Sequence, residues 1–186
     1  MDLQKLPLLK FSILYGLILA AIPTIYNIIL IIQELHLDYN YFGEGLGESY
    51  TKARTYLLPV ILFIAIYQYK KISIPPLTLK KIIKLGFWIF AIGSIVIILY
   101  NIIFRFLIEP DFSTKFYEIN RTQIYAILLE DHQELGVDYT QTDMDSHIKT
   151  NGNLWNMLFA NLVLNFMFTL FFSFTIGLFM RKKIKK

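Results

Sequence analysis

The chain has 186 residues, of which 55% are hydrophobic and 16% aromatic, and its mean hydropathy is +0.50. A soluble domain of this length cannot bury so much apolar surface, so lipid is expected to solvate much of it. The net charge of +4 does not indicate nucleic-acid binding, because the basic residues lie at the ends of apolar runs. The absence of cysteine excludes disulfides, thiolate catalysis and cysteine-ligated zinc.

Four apolar stretches are predicted to cross a membrane as helices within a single integral membrane domain, 1–186. They cover about residues 8–33, 51–69, 85–108 and 154–180. The third is the clearest, because it exceeds the roughly 30 Å of hydrocarbon and its only ionisable side chain is Arg105. The second is the weakest, since its uncharged part spans only about 21 Å as a helix, and a re-entrant loop is the alternative.

Lysine and arginine orient these stretches, because positively charged loops stay in the cytoplasm. Placing both termini and residues 70–84 there puts 12 of the 18 basic residues on the cytoplasmic side and 13 of the 14 acidic residues on the opposite side. A re-entrant second stretch would move one strongly basic segment outward. The charge pattern therefore predicts an all-α, four-helix transmembrane bundle with both termini in the cytoplasm.

The extracytoplasmic segment 109–153 is predicted to be partly helical. Asp111 and Ser113 can cap a helix that runs to about Glu134 and ends at Gly136. Its loose apolar stripe is suited to packing on either the membrane surface or the first outer connector. That connector, residues 33–55, is predicted to be a glycine-rich loop. Residues 137–151 are expected to be irregular.

Small and polar residues recur at helical spacing in three of the stretches. They are Asn161, Asn165, Thr169, Ser173 and Gly177 in the last, Ser12, Gly16, Ala20, Thr24 and Asn27 in the first, and Gly86, Gly93, Ser94 and Asn101 in the third. In lipid, helices associate through close backbone approach and interhelical polar contacts. These rows predict a compact bundle with the first and last helices in contact. The alternative is that the asparagines line a polar passage.

The first and third stretches share a short pattern, for which an old duplication of a two-helix hairpin is one interpretation. Tyr26-Asn27-Ile28-Ile29 recurs as Tyr100-Asn101-Ile102-Ile103, and Lys10 recurs as Lys84, both at an offset of 74 residues. The other interpretation is a chance match, because isoleucine-rich sequence readily produces such short matches.

Several short features are similar to those of a known family. They are the lysine-rich entry to the third stretch at residues 80–86, its exit at Glu109-Pro110-Asp111-Phe112, a polar helical segment, and a last helix ending in Arg181-Lys182-Lys183. On these features the chain resembles a bacterial membrane family known only as the domain of unknown function 4199. The resemblance implies four transmembrane helices in a bacterial cytoplasmic (inner) membrane. It supplies no activity, cofactor or site residue.

Arg105 is the charged residue predicted to lie well inside a membrane helix. Such a residue is a candidate contact for an anionic lipid headgroup or substrate. The alternative is that it snorkels outward and pairs with Glu109, four residues on. The basic tail at 181–186 can attract anionic lipids, although its commonest role is to fix topology.

Neither metal nor enzyme chemistry is expected. The histidines at 36, 132 and 147 fall in loops, and the clusters Glu130-Asp131-His132 and Asp143-x-Asp145-x-His147 read as solvated surface. A nucleophile elbow and a P-loop are missing from the sequence, and Ser173 has no base at its depth. No cofactor and no metal are therefore expected.

The expected function is that of a non-catalytic integral membrane protein that serves as a scaffold or partner subunit. Its partners would be membrane lipids and either further copies of itself or another membrane protein, with no nucleic acid. The alternative is a small transporter or lipid-binding protein that uses Arg105 and the intramembrane asparagines. The absence of Asp, Glu and His from every predicted span weighs against a coupled carrier.

Overall fold

The structure is a computed structural model that describes residues 8–42, 48–73, 77–136 and 138–180. Within these ranges, the side chains of residues 41–42, 48–55, 151, 157 and 161 lie outside the description, as does the basic tail at 181–186. The described chain is helical and contains no strand. Its elements are α1 (Leu8–Ile32), α2 (Tyr39–Phe42), α3 (Glu48–Ile72), α4 (Leu79–Ile103) with a π-helical turn (Phe104–Ile108), α5 (Phe112–Glu134), α6 (Gln141–Asn151) and α7 (Leu154–Met180).

Long apolar runs form the main helices, because a helix satisfies its own backbone groups where water is absent. Three helices are long and apolar enough to cross a membrane: α1, α4 together with its π-helical turn, and α7. The weakest predicted stretch, 51–69, lies within α3, a continuous helix of 25 residues that passes through Pro59. An unbroken helix of this length differs from the re-entrant alternative. It is also longer than the sequence predicted at both ends.

Helices α1, α3, α4 and α7 pack in a ring in which α1 and α7 each contact α3 and α4. Gly16 of α1 lies so close to α4 that an added Cβ would be 2.8 Å from the Cβ of Ile92. Gly86 of α4 lies against Ser173 of α7 in the same way. The small-residue rows of α1 and α7 therefore both face α4. The prediction that these rows bring the first and last helices together is corrected, because α4 lies between them.

Two apolar clusters fill the bundle, one towards each end. One joins α1, α3 and α4 near the lysine-rich segment and includes Phe11, Leu62 and Leu85. The other includes Ile97, Phe104 and Phe116 and continues into α5. Large apolar side chains also cover the outward faces of the long helices; Phe171, for example, is 62% exposed. Such faces are suited to lipid.

Helices α5 and α6 form a layer, here called the cap, over the ends of α1, α4 and α7. Helix α5 ends as predicted, at Glu134, and Gly136 follows with φ +69°. Asp111 is the N-cap residue of α5 but makes no side-chain cap bond. Residues 141–151, expected to be irregular, form α6 instead. The cause is a capping box in which the Thr140 and Asp143 side chains each accept from the other residue's backbone N–H.

Candidate functional site

Arg105 lies in the π-helical turn that ends α4. The turn is one residue wider than an α-helical turn, and such turns are frequent at functional sites. The side chain is only 7% exposed, so it does not snorkel to water. Its guanidinium lies over the ring of Phe112, with the central carbon 4.5 Å from the ring centroid. The structure therefore places this charge beneath the cap.

A hydrogen-bonded chain joins Arg105 to both helices of the cap. Its Nη1 donates to the hydroxyl of Ser113, in the first turn of α5. That hydroxyl in turn donates to the carbonyl of Gly152, at the C-terminal end of α6, over 3.3 Å. One buried cation thus holds together the ends of α4, α5 and α6.

Glu109 forms a second junction at the same level. Its carboxylate lies 2.9 Å from Nε2 of His36, which follows α1, and 3.6 Å from Nζ of Lys115 on α5. The pairing of Arg105 with Glu109, the alternative offered by the sequence, stays a prediction. The His36 ring also stacks on Phe112, 6.2 Å between ring centroids. The end of α1 is therefore tied to the start of the cap.

Asn120 is a third tie between the cap and the connector that follows α1. Its Nδ2 donates to the carbonyls of Leu37 and Phe116, each over 2.8 Å, and its Oδ1 accepts from the backbone N–H of Tyr39 over 3.3 Å. The side chain is 6% exposed. The apolar face of α5 thus packs on this connector and on the bundle, which is one of the two predicted alternatives.

A cleft of about 520 Å³ opens between α5 and α6. It is lined by hydroxyl, charged and apolar groups: Ser113, Thr114, Tyr117, Glu118, Arg121, Ile148, Lys149, Gly152 and Asn153. Arg121 on α5 pairs with Asp145 on α6, whose Oδ1 lies 2.6 Å from its Nη2. Because Ser113 also receives the hydrogen bond of Arg105, the buried cation lies directly behind the lining of the cleft.

Asn27 and Asn101, predicted as polar packing residues, are both fully buried. Asn101 donates from Nδ2 to the carbonyl of Ile97 over 2.8 Å, within its own helix. Within the described residues, its Oδ1 and both amide atoms of Asn27 have no hydrogen-bond partner. The interhelical hydrogen bonds expected from these asparagines are therefore not among those described, and their packing role stays a prediction.

The polar row of α7 is buried as a stripe. Asn165, Thr169 and Ser173 are each 1% exposed or less. The Thr169 hydroxyl donates to the carbonyl of Asn165 over 2.7 Å, again within the helix. Asn161 lies on α7, but its side chain is outside the described residues, so its part in the row stays a prediction.

The polar clusters of the cap have local partners. Asp143 caps α6, and Nδ1 of His132 lies 2.7 Å from the carbonyl of Leu128. Within the described ranges, no three His, Asp or Glu side chains form a group that could hold a metal ion. Asp143 and His132 thus have structural contacts within the cap.

Sequence reasoning singled out Arg105 but did not predict the cleft between α5 and α6. Ser113 was recognised only as a helix cap, and Lys149 and Arg121 were not singled out. The pairing of Arg121 with Asp145 joins residues 24 positions apart, on two helices of which one was not predicted. The spacing of Thr140 and Asp143 is the signal that would have located α6 and, with it, the second wall.

Together, the helical fold, the apolar spans and the polar cap define the class: an all-helical protein with membrane-spanning helices. A family described as "Protein of unknown function (DUF4199)" matches residues 14–182, and the chain belongs to it. The resemblance seen in the sequence is thereby confirmed. No curated protein and no solved structure matches the chain.

Proposed function

We propose that the protein crosses a bacterial cytoplasmic membrane four times, with both termini in the cytoplasm and the cap on the outer side. Three of the spans have the length and composition of membrane helices, and α3 supplies the fourth with 25 residues. The acidic cap and the lysine-rich segment before α4 then lie on opposite sides, as the charge rule requires.

In this arrangement the protein acts as a non-catalytic scaffold or partner subunit, and the cap is the part that binds its partner protein. The observation that carries this proposal is the fixation of the cap on the bundle at three separate junctions, through Arg105, Glu109 and Asn120. A surface held rigidly at the membrane loses little conformational freedom on binding. The outer face of α5 presents Ile119, which is 64% exposed.

Site-specific photocrosslinking in intact membranes tests this role. A photoreactive residue in place of Ile119 is expected to give one discrete protein adduct. The matched control replaces Phe171, which is similarly exposed at 62% but lies on the apolar face of α7. Adducts at Ile119 that are absent, or the same as those at Phe171, would count against a partner on the cap.

A second candidate function is lipid binding or the transport of a small solute. Two observations favour it: the burial of Arg105 next to the cleft, and the buried amide atoms of Asn27 that have no partner among the described residues. A buried cation and buried amides in a membrane helix are costly, and they commonly serve a ligand or pathway.

Co-purified phospholipid gives the test of this second function. The double variant Arg105→Ala and Asn101→Leu is expected to retain less phospholipid per chain after detergent exchange, measured by mass spectrometry. The matched control is Leu107→Ala, at a position that is 77% exposed in the same turn. A double variant that reaches the membrane and retains as much lipid as the wild type would rule out lipid binding through these residues.

A further inference from the structure

The floor of the cleft lies where two membrane helices end. Ser113 follows Ile108, the last residue of the π-helical turn, by five positions, and Gly152 precedes the start of α7 by two. A bilayer carries a polar headgroup layer of roughly 5 to 8 Å on each side of its hydrocarbon. When α4 and α7 cross the membrane, the cleft therefore opens at the height of the headgroups.

Trp155 marks the same level. It is 60% exposed and stands two residues after Asn153, which lines the cleft. Tryptophan prefers the membrane-water interface, because its ring is apolar and its indole N–H needs a polar neighbour. A ligand in this cleft can therefore remain anchored in the adjacent leaflet.

The charges of the lining have both signs. Lys149 on α6 and Arg121 on α5 are cationic, whereas Glu118 on α5 is anionic. Asp145 on α6 pairs with Arg121 and compensates its charge, which leaves Lys149 and Glu118 as the charges available to a ligand. A purely anionic ligand is opposed by Glu118, and a purely cationic one by Lys149. A ligand with a phosphate and an ammonium group satisfies both sides.

The remaining lining completes a site for such a headgroup. The hydroxyls of Ser113 and Thr114 stand at the N-terminal turn of α5, and Tyr117 and Ile148 supply apolar walls. Ser113 is held in place from behind by Arg105 and from the side by Gly152. A volume of about 520 Å³ is within the range of small-molecule sites.

We infer that the cleft between α5 and α6 binds the headgroup of a zwitterionic phospholipid of the phosphoethanolamine type. Lys149 contacts the phosphate, and Glu118 contacts the ammonium. This inference rests on the second proposed function and names its lipid class and its site. The lipid is favoured over a soluble zwitterion because the floor of the cleft is continuous with the ends of two membrane helices.

Native mass spectrometry of the full chain in detergent tests the inference by titration with defined lipids. The wild type is expected to bind phosphatidylethanolamine about fivefold more tightly than phosphatidylglycerol, since one interfacial charge contact contributes about this factor. Glu118→Gln is expected to abolish that preference. Lys149→Gln is expected to weaken the binding of both lipids about fivefold.

Matched controls change exposed charges that do not line the cleft. Glu130→Gln on α5 is the control for Glu118→Gln. Lys80→Gln, at the start of α4, is the control for Lys149→Gln. Both controls are expected to leave lipid binding unchanged. Soluble O-phosphoethanolamine is added as a competitor, and it is expected to compete only at far higher concentration than the lipid.

Equal affinity of the wild type for the two lipids would overturn the inference without requiring any variant to fold. An unchanged preference in Glu118→Gln would also overturn it, and competition by O-phosphoethanolamine at the concentration of the lipid would reject the lipid as the source. Lipid that is retained but insensitive to both cleft variants rejects this site and leaves the second proposed function intact. A chain that retains no lipid rejects this site and also lipid binding as the second proposed function.

Discussion

Arg105 lies where α4, α5 and α6 meet, next to the cleft between α5 and α6. Its contacts are those of a charge that holds these helices together. The guanidinium is covered by the Phe112 ring and donates to Ser113, which bonds onward to Gly152. A buried cation of this kind depends on the hydrogen bonds that its donors make. Ser113 is therefore expected to be the most sensitive residue of the cleft floor.

Replacing Ser113 by alanine is expected to lower the free energy of unfolding by about 2 kcal/mol, because a hydrogen bond to a buried charge is lost. Thermal unfolding in detergent measures the change. Ser146→Ala on α6 is the control, since this serine is exposed and is expected to tolerate the change. Equal stabilities of the two variants would show that Ser113 does not hold Arg105.

Asp143, which caps α6, is expected to make the stability of this helix depend on pH. Hydrogen bonds from the side chain and the backbone N–H of Thr140 hold the pKa of Asp143 below its ordinary value of 3.8. A depressed pKa stabilises the folded state above the ordinary value, and this stabilisation is lost as the pH falls through the lower, folded pKa. Helix α6 is therefore expected to loosen only below pH 3.8.

Nuclear magnetic resonance of the Asp143 carboxyl carbon follows this titration, and hydrogen exchange follows the first turn of α6. Asp143→Asn is expected to remove the pH dependence of exchange in that turn. A carboxyl that titrates at 3.8 or above would contradict the capping geometry.

At the scale of the helices, close backbone approach is the main device that joins α1 to α4. Helices in lipid gain little from hydrophobic exclusion, so contact distance decides how well they pack. The backbone carbonyl of Gly16 would lie 3.1 Å from a Cβ added at Gly93. The two glycines thus allow the helices to approach at one point.

Gly16→Ala is expected to destabilise the bundle by about 1 to 3 kcal/mol, because its new Cβ would lie 2.8 Å from the Cβ of Ile92 and force the helices apart. Thermal unfolding in detergent measures it. Val163→Ile, which adds a methyl group to a side chain that is 46% exposed on α7, is the control. If both changes have the same small effect, the α1 and α4 interface is not tightly packed.

Asn120 holds the cap to the connector after α1. Asn120→Leu removes a side-chain amide that bonds Leu37 and Tyr39 and leaves those backbone groups without that partner, at a cost of about 1 to 3 kcal/mol. Faster hydrogen exchange is expected at Tyr39 and along α5, with exchange in α7 unchanged. Faster exchange throughout the chain would mean that Asn120 stabilises the whole fold rather than the cap alone.

The local elements could largely be predicted, whereas the arrangement of the cap could not. Apolar length located the helices, and Gly136 located the end of α5, since a positive φ favours glycine. Helix α6 was missed because its residues are polar and lack an apolar period, so only the Thr140 and Asp143 spacing reports it. The cleft needs α6 as a wall and could not be predicted without it.

The contacts between helices were harder to predict than the helices themselves. Small residues every fourth position showed which faces pack, but not on which neighbour. The rows of α1 and α7 both lie on α4, because α4 carries glycine on two faces, at Gly93 towards α1 and at Gly86 towards α7. Ser113 and Arg105 were each recognised, but their contact depends on the π-helical turn, which has no sequence signal of its own.

At the scale of the whole molecule, charge and apolar length together predict how the protein is oriented in the membrane. The lysine-rich segment before α4 and the acidic cap stand at opposite ends of the bundle. The proposed orientation puts the cleft in the outer leaflet, where its headgroup ligand would be found. The proposed partner of the cap would then lie on the outer side of the membrane.

Cysteine labelling tests the orientation directly, because the chain has no cysteine of its own. Single variants Ser146→Cys on α6 and Lys71→Cys at the end of α3 are treated in intact cells with a maleimide that cannot cross the membrane. Labelling of Ser146→Cys from outside, and of Lys71→Cys only after the cells are opened, is the expected result. Labelling of Lys71→Cys in intact cells, or protection of Ser146→Cys there, would contradict the account.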